Sequence, residues 1–138
     1  MPSLDNMMLR QIIMDHYENP RNHELVEDDS YKKVNMDSET CIDNIDIQAK
    51  IENGVIEDIR FDGEACAICT SSTSIMTELL IGKTIDEARV IIENYMNMIF
   101  EKDYDPEILE EAIAFYNTHK QANRIRCATL GWKGITQL

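Results

Sequence analysis

Residues 41–69, CIDNIDIQAKIENGVIEDIRFDGEACAIC, decide the fold of this chain. Apolar and polar side chains alternate over residues 41–51, which predicts a strand with one buried face. A second strand is predicted over residues 55–61, directly after the turn sequence ENG. The two strands are expected to form an antiparallel hairpin, and residues 33–36 to add a third strand.

The register of this hairpin depends on which side chains face inward. The inward residues of both predicted strands are odd-numbered, so pairing odd with odd needs a three-residue loop, 52–54, with a bulge. This register sets Asp43 opposite Gly63 and Cys41 opposite Ala65. Cys41 and Asp43 share a face because side chains repeat every second residue along a strand.

Side chains with metal-binding chemistry meet at one end of the predicted hairpin. Cys41 and Asp43 lie on its first strand, and Cys66 comes just past its second strand. Zinc takes four ligands from thiolate, imidazole or carboxylate groups. The fourth ligand is Cys69, Cys127 or a histidine, and spacing alone leaves that choice open.

The rest of the chain reads as helices, which gives an α+β fold class. An N-terminal helix precedes the small three-stranded antiparallel sheet, and several C-terminal helices pack on the sheet. Capping and breaking residues mark the predicted boundaries. These are a helix over about 5–19 before Pro20, a helix from Cys66 to about Ile81 before Gly82, a capping box of Thr84 with Glu87, a start at Asp105 and Pro106, and a last helix from about Ala122.

Composition bounds the class of protein. The chain has 138 residues, 43% hydrophobic and 28% charged, which fits a single soluble domain over residues 1–138. Its net charge is −13. Phosphate backbones bind basic surfaces, so nucleic acid is not expected as a partner. The acidity favours either a protein partner with a basic face or plain solubility.

The expected location is cytoplasmic. No apolar run is long enough for a membrane span, and the N-terminus lacks the basic start and apolar block of a signal peptide. Disulfides are not expected in a reducing compartment. The four cysteines, Cys41, Cys66, Cys69 and Cys127, are therefore expected to be metal ligands, reactive thiols or buried side chains.

The pair Cys66 and Cys69 has competing interpretations. A redox dithiol is one of them, but the surrounding elements lack the βαβ context of a thioredoxin-like motif. Core packing is the simpler hypothesis for Cys69. The three histidines, His16, His23 and His119, are most simply surface or packing residues.

Three motifs in order carry a family resemblance. They are IIMDHYENPRN at residues 12–22, FDGEACAICTSSTS at 61–74 and RIRCATLGWK at 124–133. With these motifs the whole chain resembles the U-type iron–sulfur assembly proteins, the superfamily of IscU, the NifU N-domain and SufU. The resemblance implies a SufU/IscU-like fold.

The resemblance also implies the site. The family's three cysteines and its aspartate fall on Cys41, Cys66, Cys127 and Asp43, which are the implied metal ligands, with Cys41 as the sulfur-accepting, catalytic thiol. Cys69 falls where relatives usually carry serine, and so is implied to be a spare thiol.

A SufU-type member is the favoured interpretation. Arg126 stands where IscU-type scaffolds resemble one another in having histidine, and the helix-rich stretch at about 82–117 resembles the longer insert of SufU-type members. The resemblance then implies a zinc-dependent acceptor of persulfide sulfur from a PLP-dependent, SufS-like cysteine desulfurase, with a sulfurtransferase-like role in iron–sulfur cluster biogenesis and a downstream cluster scaffold as a further partner. The alternatives are an IscU-type scaffold that binds an iron–sulfur cluster at the same ligands, and a structural zinc-binding module without transfer activity.

Two positions depart from the family pattern. Relatives carry glycine where this chain has Ile42 and Ala65. Glycine often marks an unusual backbone angle, and isoleucine at positive φ is strained. The predicted strand turns Ile42 away from the site, so the ligand geometry is expected to survive while partner docking or the mobility of Cys41 is open to change.

Overall fold

The computed structural model describes residues 6–38 and 42–138. An N-terminal helix is followed by a three-stranded antiparallel sheet and then by helices, so the predicted α+β fold class is confirmed. The elements are α1 (Asn6–Glu18), β1 (Lys32–Asp37), β2 (Asn44–Glu52), β3 (Val55–Glu64), α2 (Ala67–Leu80), α3 (Ile85–Ile99), a kinked 3-10 segment (Pro106–Phe115), a short 3-10 turn (Thr118–Lys120) and α4 (Ala122–Ile135).

The sheet is a meander with β2 in the centre, between β1 and β3. Both predicted strands of the hairpin and the third strand are confirmed. The first hairpin strand begins only at Asn44, so the prediction that Asp43 lies on it is wrong, and Asp43 directly precedes it. Alternate residues bury one face of the hairpin against the helices, which is the pattern of a one-sided antiparallel sheet. The buried residues of that face are Ile45, Ile47, Ala49, Ile59 and Phe61.

The predicted three-residue hairpin loop is wrong. Glu52 pairs with Val55, so the turn contains only Asn53 and Gly54, both at positive φ as a type I′ turn requires. A bulge next to Ile51 inserts one extra residue into β3. Beyond the bulge, odd-numbered residues of β2 pair with odd-numbered residues of β3, as predicted. The predicted loop length is wrong.

The predicted register is therefore displaced by two residues. Gly63 pairs with Ile45 and not with Asp43, and the last pair of the ladder is Asn44 with Glu64. Gly63 has a φ of 132°, and a Cβ there would collide with the Asn44 carbonyl oxygen. The predicted pairing of Cys41 with Ala65 lies outside the described residues.

Helix α2 is the central helix of the fold. Of its 14 residues 11 are buried, and α1, α4 and the kinked segment pack around it. Many of these buried residues are serine or threonine, whose hydroxyls bond to nearby backbone carbonyls, as Ser71 does to Ala67 and Thr77 to Ser74. Small polar residues let the neighbouring helices approach closely.

The helix boundaries follow the predicted caps closely. Thr84 and Glu87 form the expected capping box of α3, and Asp105 caps the segment that starts at Pro106. Within that segment Glu110 has φ 45° and ψ −124°, which kinks it. Among the described residues, no helix has both the length and the apolar character needed to cross a bilayer.

Helix α1 differs from its predicted apolar stripe in one respect. Leu9 and His16 are buried as the stripe predicts, whereas Tyr17 is 46% exposed. His16 is fully buried, which confirms it as a packed residue of the interior.

Candidate metal centre

Asp43 is a buried carboxylate just before β2, with no exposed surface. Its Oδ1 accepts a 2.7 Å hydrogen bond from the backbone amide of Cys66. Burying a carboxylate is costly unless a hydrogen bond and a positive charge or a metal compensates it. The position of Asp43 therefore favours a cation nearby.

Cys66 is the N-cap residue of α2. Its Sγ accepts the amide N–H of Cys69 at 3.4 Å, and it lies 3.8 Å from Oδ2 of Asp43. A helix N-terminus carries partial positive charge, which stabilises a thiolate and a carboxylate placed there. The local fold thus holds two anionic ligands side by side.

Cys127 comes to the same place from α4. It is only 7% exposed, and its Sγ lies 3.8 Å from the Asn123 carbonyl oxygen. The ligand atoms of Asp43, Cys66 and Cys127 all lie within 4.8 Å of one another. Three of the four sequence-predicted ligands are therefore brought together, although 84 residue positions separate Asp43 from Cys127.

The remaining predicted ligand, Cys41, lies outside the described residues. Cys69 is fully buried one turn into α2, as the core-packing interpretation requires. Within the described residues, the group around Asp43 includes neither Cys69 nor a histidine. The three described cysteines, Cys66, Cys69 and Cys127, are not joined by disulfides.

The donor set fits zinc. Thiolate and carboxylate are two of its three usual ligand types. Zinc–sulfur bonds of about 2.3 Å place tetrahedral ligands roughly 3.5–3.8 Å apart. The 3.8 Å between Cys66 Sγ and Asp43 Oδ2 already matches that separation. The same donors also suit iron in a cluster, where cysteine thiolates dominate.

A buried hydrogen-bond network fixes α4 against α2 beside Cys127. The carbonyl oxygen of Ala128 accepts from the hydroxyls of Ser72 at 2.6 Å and Tyr95 at 2.7 Å, and Trp132 donates to Ser72 at 3.0 Å. The rings of Tyr95 and Trp132 stack with centroids 3.8 Å apart. Burial raises the pKa of Tyr95 well above its ordinary value.

Sequence reasoning missed this network. Its members come from three helices, and Ser72 and Trp132 are 60 positions apart. The available signal was the lone tryptophan next to Gly131 in the last motif. A Cβ on Gly131 would meet Thr73 Oγ1 at 2.5 Å, so glycine permits the close approach of α4 to α2.

The structure describes both positions, Ile42 and Ala65, at which this chain departs from the family pattern. Ile42 is 68% exposed and its side chain faces solvent, but it lies in a bend before β2 and not in the predicted strand. Among the described residues with positive φ, Ala65 does not occur, so alanine is accommodated there without backbone strain.

The sequence of this chain matches a known protein family. The model of the NifU-like N terminal domain matches residues 8–135. The chain belongs to the NifU-like N-terminal domain family. The resemblance carried by the three sequence motifs is therefore confirmed.

Two relatives align with most of the length of this NifU-like domain. The zinc-dependent sulfurtransferase SufU of Bacillus subtilis is 39% identical over 129 residues, 93% of this chain and 86% of the relative. The iron–sulfur cluster assembly scaffold protein IscU of Streptococcus pyogenes is 31% identical over 133 residues, 96% of this chain and 82% of the relative.

A solved structure has the same fold as this NifU-like domain. The crystal structure of a putative iron–sulfur cluster assembly scaffold protein for the SUF system from Fervidobacterium islandicum superposes with a TM-score of 0.79 at 29% identity. The match covers 91% of this chain and 92% of the other.

Proposed function

We propose that this protein is a zinc-dependent acceptor of persulfide sulfur that works with a PLP-dependent cysteine desulfurase in iron–sulfur cluster biogenesis. The observation that carries the proposal is the meeting of Asp43, Cys66 and Cys127 within 4.8 Å. The 39% identity to a zinc-dependent sulfurtransferase over 93% of the chain supports it.

Four residues would hold the zinc: Asp43, Cys66 and Cys127, with Cys41 as the fourth. Bound zinc keeps its thiolate ligands deprotonated near neutral pH. The N-terminus of α2 and the Cys66 amide orient and stabilise the two anionic side chains beside them.

The reaction is a transfer of one sulfur atom to Cys41. The Cys41 thiolate attacks the terminal sulfur of the desulfurase persulfide, and a new S–S bond forms on Cys41. The S–S bond of the desulfurase breaks, and its electron pair stays on the desulfurase cysteine, which leaves as a thiolate. The exchange needs no external oxidant or reductant.

The partner is expected to be a SufS-like desulfurase with a basic docking face. The net charge of −13 supports this, because opposite potentials accelerate encounter. The helical stretch 82–117, which contains α3 and the kinked segment, is proposed as the subfamily insert of this single domain. A cluster scaffold downstream would receive the sulfur.

An IscU-type scaffold is the second candidate, because the IscU relative matches 96% of the chain. The same four residues would then hold an iron–sulfur cluster. Metal analysis of freshly purified protein separates the two: the acceptor is colourless with one equivalent of zinc, and the scaffold is brown with iron and sulfide.

The test of transfer is stimulation of desulfurase turnover by the zinc-loaded protein. Cys41→Ala is expected to abolish stimulation while the fold, followed by circular dichroism, is unchanged. Cys69→Ser is the matched control and should stimulate like wild type. Full stimulation by Cys41→Ala would overturn the proposal and leave a structural zinc module.

A further inference from the structure

A second group of metal-binding side chains lies away from the cysteines. His16 from α1, Glu78 from α2 and Glu111 from the kinked segment bring one ligand atom each within 4.8 Å of the others. The imidazole is fully buried, whereas Glu78 and Glu111 are 46% and 52% exposed. The histidine ligand of this group is therefore buried, and its two carboxylates are accessible to solvent.

One ring nitrogen of His16, Nδ1, is hydrogen-bonded within the protein, and the other, Nε2, faces the two glutamates. Nδ1 of His16 lies 2.7 Å from Ser74 Oγ, which also accepts the backbone N–H of Arg21 at 2.8 Å. In the tautomer with Nδ1–H donating to this hydroxyl, the Nε2 lone pair can bind a cation, with Glu111 and Glu78 as its neighbours. Metal-bound histidines characteristically donate their other ring N–H in this way.

Without a metal, Nε2–H of His16 can donate a long hydrogen bond of 3.5 Å to Glu111 Oε1, and the spacing of the group also fits a coordination shell. Nε2 is 3.5 Å from Glu111 Oε1 and 3.7 Å from Glu78 Oε1. Charge-assisted hydrogen bonds are about 2.7–2.9 Å long. Ligands about 2.0–2.2 Å from a common metal ion are roughly 3.3–3.6 Å apart in a tetrahedron. The distance to Glu111 lies within that range, and the distance to Glu78 lies just beyond it.

The front of the group opens into a cavity of about 220 Å³, lined by Ile75, Leu79, Glu78, Glu110 and Glu111. Such a volume holds several waters at about 30 Å³ each, which is enough to complete a coordination shell. The neighbouring cation is Arg21, whose Nε is 3.6 Å from Glu78 Oε1. Its main ion pair is with Asp15 at 2.7 Å, and its charge also acts on Glu111, so this one guanidinium faces three carboxylates.

We propose that His16, Glu78 and Glu111 form a second divalent metal site, independent of the cysteine-containing centre, that takes a first-row transition ion of borderline or hard character. One imidazole and two carboxylates suit Mn²⁺, Fe²⁺ or Zn²⁺. Waters from the cavity complete the shell. The site joins α1, α2 and the kinked segment.

The probe is Mn²⁺ added to the zinc-loaded protein in a millimolar background of Mg²⁺. Mn²⁺ is the weakest competitor of its series and does not displace zinc from thiolates. Loss of the free-ion signal in electron paramagnetic resonance gives stoichiometry and affinity, and a nitrogen coupling in the pulsed spectrum identifies an imidazole ligand. One bound Mn²⁺ with that coupling is expected.

Glu111→Gln and Glu78→Gln are expected to weaken Mn²⁺ binding by at least about tenfold. Glu110→Gln is the matched control, because it removes the same charge from the same cavity but lies outside the ligand group. The control should bind like wild type. The site is refuted if no Mn²⁺ binds, if the nitrogen coupling is absent, or if Glu110→Gln loses as much affinity as Glu111→Gln.

Discussion

The backbone amide of Cys66 donates a 2.7 Å hydrogen bond to the buried carboxylate of Asp43, so the N-cap residue of α2 holds the ligand that directly precedes β2. This bond ties the start of β2 to the start of α2. It holds two ligands of the proposed zinc site side by side before any metal binds. Metal binding then completes an arrangement that the fold has largely formed.

Asp43→Asn should separate the metal-ligand role of this residue from its structural role. The amide oxygen still accepts the Cys66 N–H, but the negative charge is lost. Zinc affinity, measured by competition with a chromophoric chelator, should fall by at least about tenfold. In chelator, the variant should melt at the same or a higher temperature, because a buried unpaired carboxylate is costly.

Asp62→Asn is the control for Asp43→Asn. It removes an exposed carboxylate from the neighbouring strand and should leave zinc affinity unchanged. Equal zinc affinities for wild type and Asp43→Asn would show that Asp43 is not a ligand.

Cys127→Ser and Cys69→Ser form a matched pair of buried thiols. Only Cys127 lies in the group with Asp43 and Cys66, so only its replacement should lower zinc content and abolish the melting-temperature increase that zinc gives the wild type. Inductively coupled plasma analysis and thermal denaturation measure the two effects. Loss of zinc from Cys69→Ser with retention in Cys127→Ser would assign the ligands the other way.

Gly131→Ala should push α4 away from α2. The new methyl group would meet the Thr73 side chain, and overpacking of this kind costs about 1–3 kcal/mol of unfolding free energy. Adding Thr73→Ala should recover much of the loss, since the two residues touch. Urea denaturation of the two single variants and the double variant measures the coupling. Additive effects would contradict the proposed contact.

Tyr95→Phe should change how stability depends on alkaline pH. Burial raises the pKa of folded Tyr95 above the unfolded value of about 10. The folded state therefore holds its proton more tightly, and this contribution to stability is present below pH 10 and lost as pH rises above it. Tyr95→Phe should be less stable at pH 7, because the hydrogen bond to the Ala128 carbonyl is lost, yet its stability should fall less steeply as the pH rises above about 10. Parallel curves would contradict this role.

Local signals predicted much of the fold. The Thr84–Glu87 capping box, the stop at Gly82 and the alternation in the strands are encoded within a few residues, and the structure confirms them. The pairing of odd-numbered with odd-numbered residues along the hairpin was also predictable. The length of its loop was not predictable, because a two-residue turn at Asn53 gives this pairing only when a bulge follows. Nothing in the local sequence marks the position of that bulge.

The candidate site was predictable as a set of residues but not as a geometry. Family motifs named Asp43, Cys66 and Cys127, and folding brought them together. The contacts that set their spacing join residues far apart in sequence, such as Ser72 with Trp132. Long-range packing of this kind leaves no periodic signal in the chain, so only the folded structure reveals it.

Peptide mass spectrometry under non-reducing conditions can show directly whether Cys41 receives sulfur. The zinc-loaded protein is incubated with a PLP-dependent cysteine desulfurase and cysteine, and each cysteine-containing peptide is then weighed. One added sulfur atom on the Cys41 peptide, absent from Cys41→Ala, is the predicted result. Sulfur found only on Cys66, Cys69 or Cys127, or on no cysteine at all, would contradict the account.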